Sequence, residues 1–376
     1  MKRRLLLLLP LLAVVPFVAS GATPDGLLPI AKGLDHPWGM AFLPDGSLLV
    51  TERPGRLRRV NLNDNALSAP ISGLPGVDAD GQGGLLGIAI APDFATSRDV
   101  FLSFAEQREG GNATAVFRAK LSADYAKLEN GTVIFRQSRA VESTRHFGSR
   151  LVFDGEGYLF VTTGDRGDLP DEAQNPASHL GKVLRITRDG APAPGNPNIA
   201  GWAPEVWSIG HRNIQGAALN PTTSQLWTAE HGAKGGDEVN APQAGRNYGW
   251  PVITYGRDYS GSKIGVGTSR DGLEQPLHYW DPSIAPSGMA FLTSDVYPGW
   301  KGSLFVGALV GEHLHRLTIE GSKIVASEKL FEGFGRVRDV IQGPSGHIFI
   351  LTDEAKPTGA IYQLAGPGDA TATTGN

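Results

Sequence analysis

Six copies of one short phrase punctuate the chain, and they restrict the folds open to it more than any other feature. Each copy is a turn containing Gly, Pro or Asp, then a short β-branched or aromatic run, then a polar loop. Two copies are clear: Pro44-Asp45-Gly46-Ser47-Leu48-Leu49-Val50-Thr51 and Asp154-Gly155-Glu156-Gly157-Tyr158-Leu159-Phe160-Val161. Looser copies are Ser97-Arg98-Asp99-Val100-Phe101-Leu102-Ser103-Phe104, Thr223-Ser224-Gln225-Leu226-Trp227-Thr228, Trp300-Lys301-Gly302-Ser303-Leu304-Phe305-Val306 and Pro344-Ser345-Gly346-His347-Ile348-Phe349-Ile350-Leu351. A mean spacing of about 55 residues gives each unit room for four short strands and their turns, the size of one propeller blade. The 50 Gly and 26 Pro interrupt nearly every window that could carry helical periodicity. The sequence therefore predicts an all-β chain folded as one six-bladed β-propeller over residues 27–365, with its active site in loops at one end of the central channel. No low-complexity linker divides that range, which disfavours a large sandwich or several small β domains, and ring closure disposes of most exposed strand edges.

The two ends read differently. Lys2, Arg3 and Arg4 precede an almost wholly apolar run over residues 5–18, and small residues follow at Val18-Ala19-Ser20 and Ser20-Gly21-Ala22. That pattern predicts a signal peptide over residues 1–22 and a periplasmic or secreted mature protein. The run is short for a membrane span and contains Pro10 and Pro16, so no membrane insertion of the mature chain is expected. Residues 366–376, rich in Gly, Ala and Thr, read as a flexible tail. A net charge of −4 argues against nucleic acid as a partner. The absence of cysteine excludes disulfides, thiolate metal sites and thiol nucleophiles.

A propeller carries its chemistry in loops, so polar residues at strand ends matter most. Asp80-Gly81-Gln82-Gly83-Gly84 combines close backbone approach with the amide of Gln82, but has no Lys-Ser/Thr of a phosphate loop. His146, in Arg145-His146-Phe147-Gly148-Ser149-Arg150, is a candidate acid–base group or an ordinary surface imidazole. Arg212 and Asn213 suit an anionic, carbonyl-rich ligand. Glu230 to Glu238, with Gly232, Ala233 and the later Tyr248, mixes carboxylates with glycines that expose carbonyls, the donor set of a hard cation, though not at EF-hand spacing. Tyr259 follows in Tyr255-Gly256-Arg257-Asp258-Tyr259, and Arg336 and Arg338 stand on one face at strand spacing.

Taken together, these segments make the chain resemble the soluble quinoprotein glucose/sorbosone dehydrogenase family, in its aldose sugar dehydrogenase branch. The likeness runs from His36-Pro37-Trp38-Gly39 to Ile361-Tyr362-Gln363-Leu364. It rests on Gly81-Gln82-Gly83-Gly84-Leu85-Leu86-Gly87, His146-Phe147-Gly148-Ser149-Arg150, Arg212-Asn213-Ile214-Gln215-Gly216, Gly235-Gly236-Asp237-Glu238 and Asn247-Tyr248-Gly249-Trp250-Pro251, in family order. The resemblance implies a six-bladed propeller that binds pyrroloquinoline quinone (PQQ) and Ca2+. It implies oxidation of an aldose at C1 to the lactone, with hydride transfer to the quinone, and a cytochrome or quinone as electron acceptor. His146 falls on the general base and Gln82 on a substrate position. Arg212 falls on a catalytic and quinone contact, and Asn213, Tyr259, Ala308, Val310, Arg336 and Arg338 on further cofactor positions. Glu238, Tyr248 and the carbonyls of Gly232 and Ala233 fall on calcium ligands.

Two departures from the family pattern stand out. Arg145 replaces an acidic residue next to the base, leaving the partner of the imidazole unassigned. Val310 stands where a cofactor-binding Lys is usual, a loss expected to loosen quinone binding by about ten- to a hundredfold. A calcium-dependent propeller lactonase and a non-catalytic propeller that binds glycans or proteins remain as alternatives.

Overall fold

The computed structural model describes residues 25–354 and 358–369. They form six four-stranded antiparallel sheets. The innermost strands are, in order, Pro37–Phe42, Leu85–Ile90, Leu151–Phe153, Ile214–Leu219, Pro286–Phe291 and Val337–Gln342. Each packs against the innermost strand of the next sheet, and the sixth meets the first. This is a six-bladed β-propeller.

The sequence phrase falls on one structural position in all six blades. Leu48–Glu52, Asp99–Arg108, Leu159–Thr162, Leu226–Glu230, Leu304–Ala308 and Ile348–Thr352 are each the second strand from the centre. In five of them every residue is buried, because the neighbouring blades cover both faces. A strand covered on both faces needs a continuous apolar run rather than alternation. The outermost strand of the fifth blade, Lys323–Leu330, is mostly exposed and carries no such signal.

The ring closes with a strand from the start of the chain. Leu27–Leu34 pairs antiparallel with Gly359–Leu364, Leu27 opposite Leu364 and Leu34 opposite Gly359, and so completes the sixth blade. At the axis the Arg150 guanidinium donates to Asp339 Oδ1 (2.9 Å) and to the Gln215 carbonyl (2.9 Å), and lies 4.5 Å from the centre of the Trp38 ring. Asp339 Oδ2 in turn accepts from the Met40 N–H (2.8 Å). Four blades are thereby tied together through one paired buried charge; removing either partner would leave the other uncompensated, a loss of about 3–5 kcal/mol.

Helical structure among the described residues is limited to Phe94–Ser97 and a 3-10 turn, Pro170–Gln174, and no described helix is long and apolar enough to cross a membrane. Gly366 donates to Asp369 Oδ2 (2.7 Å), which also pairs with His347 (3.1 Å), so the first residues after the last strand are seated on the sixth blade. Residues 1–22, read as a signal peptide, and residues 370–376 of the tail lie outside the described residues.

Candidate active site

In every blade the first strand leaves one face of the disc and the second returns to it. Residues entering first strands and leaving second strands therefore converge there. They line two adjoining chambers. The larger, about 580 Å³, is bounded among others by Gln82, Gly232, Ala233, Tyr259, Val310, Arg336 and Arg338. The smaller, about 490 Å³, is bounded by His146, Arg212, Trp250 and Tyr259 together with polar groups of the 258–263 loop. Ala233 and Tyr259 belong to both walls.

Four contacts hold His146 in place. Its backbone is in the left-handed region, φ 53°, a conformation that costs a non-Gly residue energy and persists only where the surroundings impose it. Its N–H donates to the side-chain oxygen of Gln82 (2.9 Å). Phe147 beside it is buried against Trp38, Leu86 and Ala105. Gly164 lies so close that a Cβ there would stand 2.1 Å from the His146 carbonyl oxygen, which is why the strand-end turn carries glycine. The Nδ1–H donates to Asp165 Oδ1 at 2.6 Å, which fixes the tautomer and leaves Nε2 as a free lone pair. Burial lowers the imidazole pKa, as does the charge of Arg212, against the opposing pull of Asp165. Burial alone would raise Asp165, but the hydrogen bond from His146 and nearby positive charge hold it below the usual carboxylate range. The dyad is thus a neutral imidazole on an ionised carboxylate.

Asp165 answers the question left by Arg145. That guanidinium turns outward to Asp168 (2.7 Å) and does not orient the base. The sequence carried the necessary signal, since Asp165 follows directly on a phrase strand, in Thr163-Gly164-Asp165. By the same logic Arg53 and Asp353, which leave the second strands of blades one and six, also reach the larger chamber.

That chamber is strongly cationic. Arg53, Lys234, Arg336 and Arg338 face Asp281 and Asp353 across it, and Asp353 is already committed to Arg338 (3.1 Å) and His36 (3.0 Å). Desolvation pulls the Arg338 pKa down to about 10, and the Lys234 side chain has no partner among the described residues. Buried nitrogens are also left over: Arg212 Nε, Arg338 Nε and Asn213 Nδ2 have no hydrogen-bond partner. Leaving such donors unpaired is costly, and the set suits a ligand rich in carboxylate and carbonyl oxygen.

The cation candidates gather nearby. Gly232 and Ala233 border the larger chamber, and the Gly232 carbonyl accepts from Arg212. This loop is shaped by Asp237, which accepts from Gly232 N–H (2.8 Å), Ser283 Oγ–H (2.7 Å), Ile284 N–H (2.7 Å) and Ala285 N–H (2.9 Å). Gly236 (φ 72°) has no room for a side chain, since a Cβ would stand 2.2 Å from the Gly256 nitrogen. Glu238 and Tyr248 border a separate space of about 10 Å³ with Glu230 and Gly232, the size of one water or ion. Desolvation, and then the charge of Glu230, raises the Glu238 pKa well above the carboxylate range. The Tyr248 hydroxyl is spent on Ala241 O (2.7 Å) and Gln243 N–H (3.0 Å), so only its backbone carbonyl is available as a ligand. No described cluster of three His, Cys, Asp or Glu side chains has metal-holding geometry, so an ion here would depend on backbone carbonyls.

Most of the remaining site residues also converge. Arg212, Tyr259, Arg336, Arg338 and Val310 all face one chamber or the other. Asn213 lies beneath them, its Oδ1 accepting from Gly148 N–H (3.1 Å). Ala308 is fully buried in the core between blades four and five; Leu309 and Val310, which follow it, line the chamber instead.

The chain is similar to known proteins over nearly its whole described length. The family model described as Glucose / Sorbosone dehydrogenase matches residues 34–363. The chain is 43% identical over 362 residues to the aldose sugar dehydrogenase YliI of Escherichia coli, covering 94% of this chain and 97% of that one. A crystal structure of a glucose dehydrogenase is similar at 50% identity and TM-score 0.87, covering 90% of this chain and 99% of the other. The PQQ-bound form of an aldose sugar dehydrogenase from Streptomyces coelicolor is similar at 31% identity and TM-score 0.75, covering 91% and 99%.

Proposed function

The chain belongs to the glucose/sorbosone dehydrogenase family, and from that premise we propose that it oxidises aldose sugars at C1 to the lactone, using PQQ and Ca2+, outside the cytoplasm. The observation that carries this reading is the His146–Asp165 dyad, with its free Nε2, on the wall of one chamber beside a second, cationic one.

PQQ, an ortho-quinone bearing three carboxylates, supplies the hydride acceptor when bound. The residues supply the rest. Arg53, Arg336 and Arg338 provide fixed positive charge for the carboxylates, and the orphaned nitrogens of Arg212 and Asn213 provide donors for quinone oxygens. His146 Nε2 takes the proton from the anomeric hydroxyl as C1 is oxidised, and Asp165 stabilises the imidazolium that forms. Arg212 places a preorganised charge beside the reacting groups. The sugar enters by the smaller chamber, between Trp250 and Tyr259. A calcium ion would be held by the carbonyls of Gly232 and Ala233, and a second by Glu238 with the Tyr248 carbonyl, where it would offset the Glu230–Glu238 repulsion.

Reconstitution tests the whole reading. Apo-protein given PQQ and Ca2+ should reduce a dye with glucose; chelation should abolish the activity and calcium should restore it. Activity in fully chelated protein equal to the untreated level would remove calcium. Lactone hydrolysis without quinone would favour the lactonase, and no turnover of either kind would favour a binding propeller.

Val310 refines the cofactor expectation. Val310 is 66% exposed at the rim of the larger chamber, so a charge placed there would be screened. Val310→Lys is expected to tighten quinone binding only about two- to fivefold, with the gain shrinking at high salt. Unchanged or weaker affinity on titrating quinone into the calcium-loaded apo-protein would show that Lys234 already fills that role.

A further inference from the structure

The carboxylate that orients His146 is itself gripped from its far side. Asp165 Oδ1 accepts from His146 Nδ1–H (2.6 Å) and from Gly167 N–H (2.7 Å), while Oδ2 accepts from the indole Nε1–H of Trp250 (2.8 Å). Trp250 is anchored independently of the dyad. Its N–H donates to the Gly210 carbonyl (2.9 Å), and its own carbonyl accepts from Gln174 Nε2 (2.7 Å), on the 3-10 turn Pro170–Gln174. That turn is fixed by a buried ammonium: Lys182 Nζ donates to the carbonyls of Glu172 (2.8 Å), Ala173 (3.0 Å) and Leu180 (2.5 Å). A rigid chain of contacts thus runs from Lys182 through Gln174 and Trp250 to Asp165 and the free Nε2 of His146.

We propose that Trp250 is a positioning residue for the base, its indole N–H fixing the rotation of the Asp165 carboxylate so that Oδ1 stays on His146 Nδ1. The role rests on His146 being the base, as proposed above. A carboxylate with only one oxygen engaged can turn about its last torsion; one engaged at both oxygens by anchored donors cannot. The indole also withdraws charge from the carboxylate. Without it Asp165 becomes a stronger partner for the imidazolium, and His146 should titrate at higher pH. The other charges facing the imidazole are Arg212, Arg145 and His231, with Asp168, Asp258 and Lys263 across the smaller chamber. None of them is altered by changing the indole.

The test is Trp250→Phe, which keeps an aromatic wall and the 5.2 Å packing position over Arg212 but deletes the donor. In the apo-protein, the imidazole of His146 followed by NMR, assigned with His146→Gln, is expected to titrate at higher pH than in the wild type. In the reconstituted enzyme kcat should fall about ten- to a hundredfold, the size of losing a group that orients a functional side chain, with KM within about twofold. The acid limb of the pH profile should move upward with the imidazole. An unchanged His146 titration together with unchanged kcat would overturn the proposal. The NMR arm needs no cofactor, so it separates failure of this role from failure of the sugar dehydrogenase reading, which would show as an inactive wild type. Should Trp250→Phe not fold, Gln174→Leu releases the anchor of Trp250 without touching its ring. It is expected to shift His146 in the same sense, and no shift there would also overturn the proposal.

Discussion

His146→Ala is expected to lower turnover by about 10²–10⁴-fold while quinone affinity stays within a few-fold of the wild type. The range is that of a positioned general base. The split between the two readouts follows from placement. His146 borders the smaller chamber, whereas Arg53, Arg336 and Arg338 border the larger one and Asn213 lies beneath; of the donors suited to the quinone only Arg212 shares a wall with His146. Truncation should not disturb the loop, because the His146 N–H remains available to Gln82 and Phe147 remains buried beside it. Steady-state turnover at saturating calcium and quinone, with a quinone titration on the same variant, measures both quantities. Turnover within about threefold of the wild type would take His146 out of the mechanism. Equal losses of turnover and quinone affinity would make it a cofactor contact instead.

The propeller was legible because its second strands are unusual. Leu48–Glu52 and Ile348–Thr352 are buried on both faces between blades, so they must be continuous apolar runs introduced by tight turns, and this recurs in linear sequence. Edge strands leave no comparable trace. Ala66–Leu67 is a two-residue strand, and Lys323–Leu330 is largely solvated, so hydrophobic patterning could not mark either. The closure of the sixth blade by Leu27–Leu34 was equally hidden, since pairing between chain ends is a long-range fact that no local window contains.

The site divides along the same line. Residues in glycine-flanked motifs, such as His146 and Arg212, announce themselves because a loop that must approach a ligand closely constrains its own composition. Asp165 and Trp250 also stand beside glycines, Gly164 and Gly249, but like Gln174 they act through other side chains. Their roles depend on three-dimensional neighbours: Trp250 is 85 positions from the carboxylate it holds. Tyr248 shows the converse limit. As a residue type it offers a hydroxyl, but in the folded chain that hydroxyl is spent on the backbone of its own loop.

Asp165→Asn is expected to lose turnover on the scale of His146→Ala, about 10²–10⁴-fold, although it removes one charge and almost no volume. Every hydrogen bond to the Asp165 side chain comes from a donor: His146 Nδ1–H and Gly167 N–H on one oxygen, the Trp250 indole on the other. An amide cannot satisfy that set. With its oxygen toward His146, its NH2 meets the indole N–H; with its NH2 toward His146, it opposes Gly167 and drives the imidazole to the other tautomer, placing the proton on Nε2. A base protonated on its working nitrogen accepts nothing, and a triad Asp→Asn change of this kind reduces turnover about 10⁴-fold by the same error of tautomer. The pH profile carries a separate signature. Burial and Arg212 lower the imidazole pKa while Asp165 raises it, so removing the carboxylate charge should move the acid limb further down. Trp250→Phe should move it up. The double variant adds a last discriminating sign: with the indole donor gone, the amide can turn its NH2 to the vacated side and return its oxygen to His146. Asp165→Asn/Trp250→Phe should therefore be more active than Asp165→Asn alone, a coupling that independent structural damage cannot produce. Strictly additive losses would show that the two residues do not act on one carboxylate orientation.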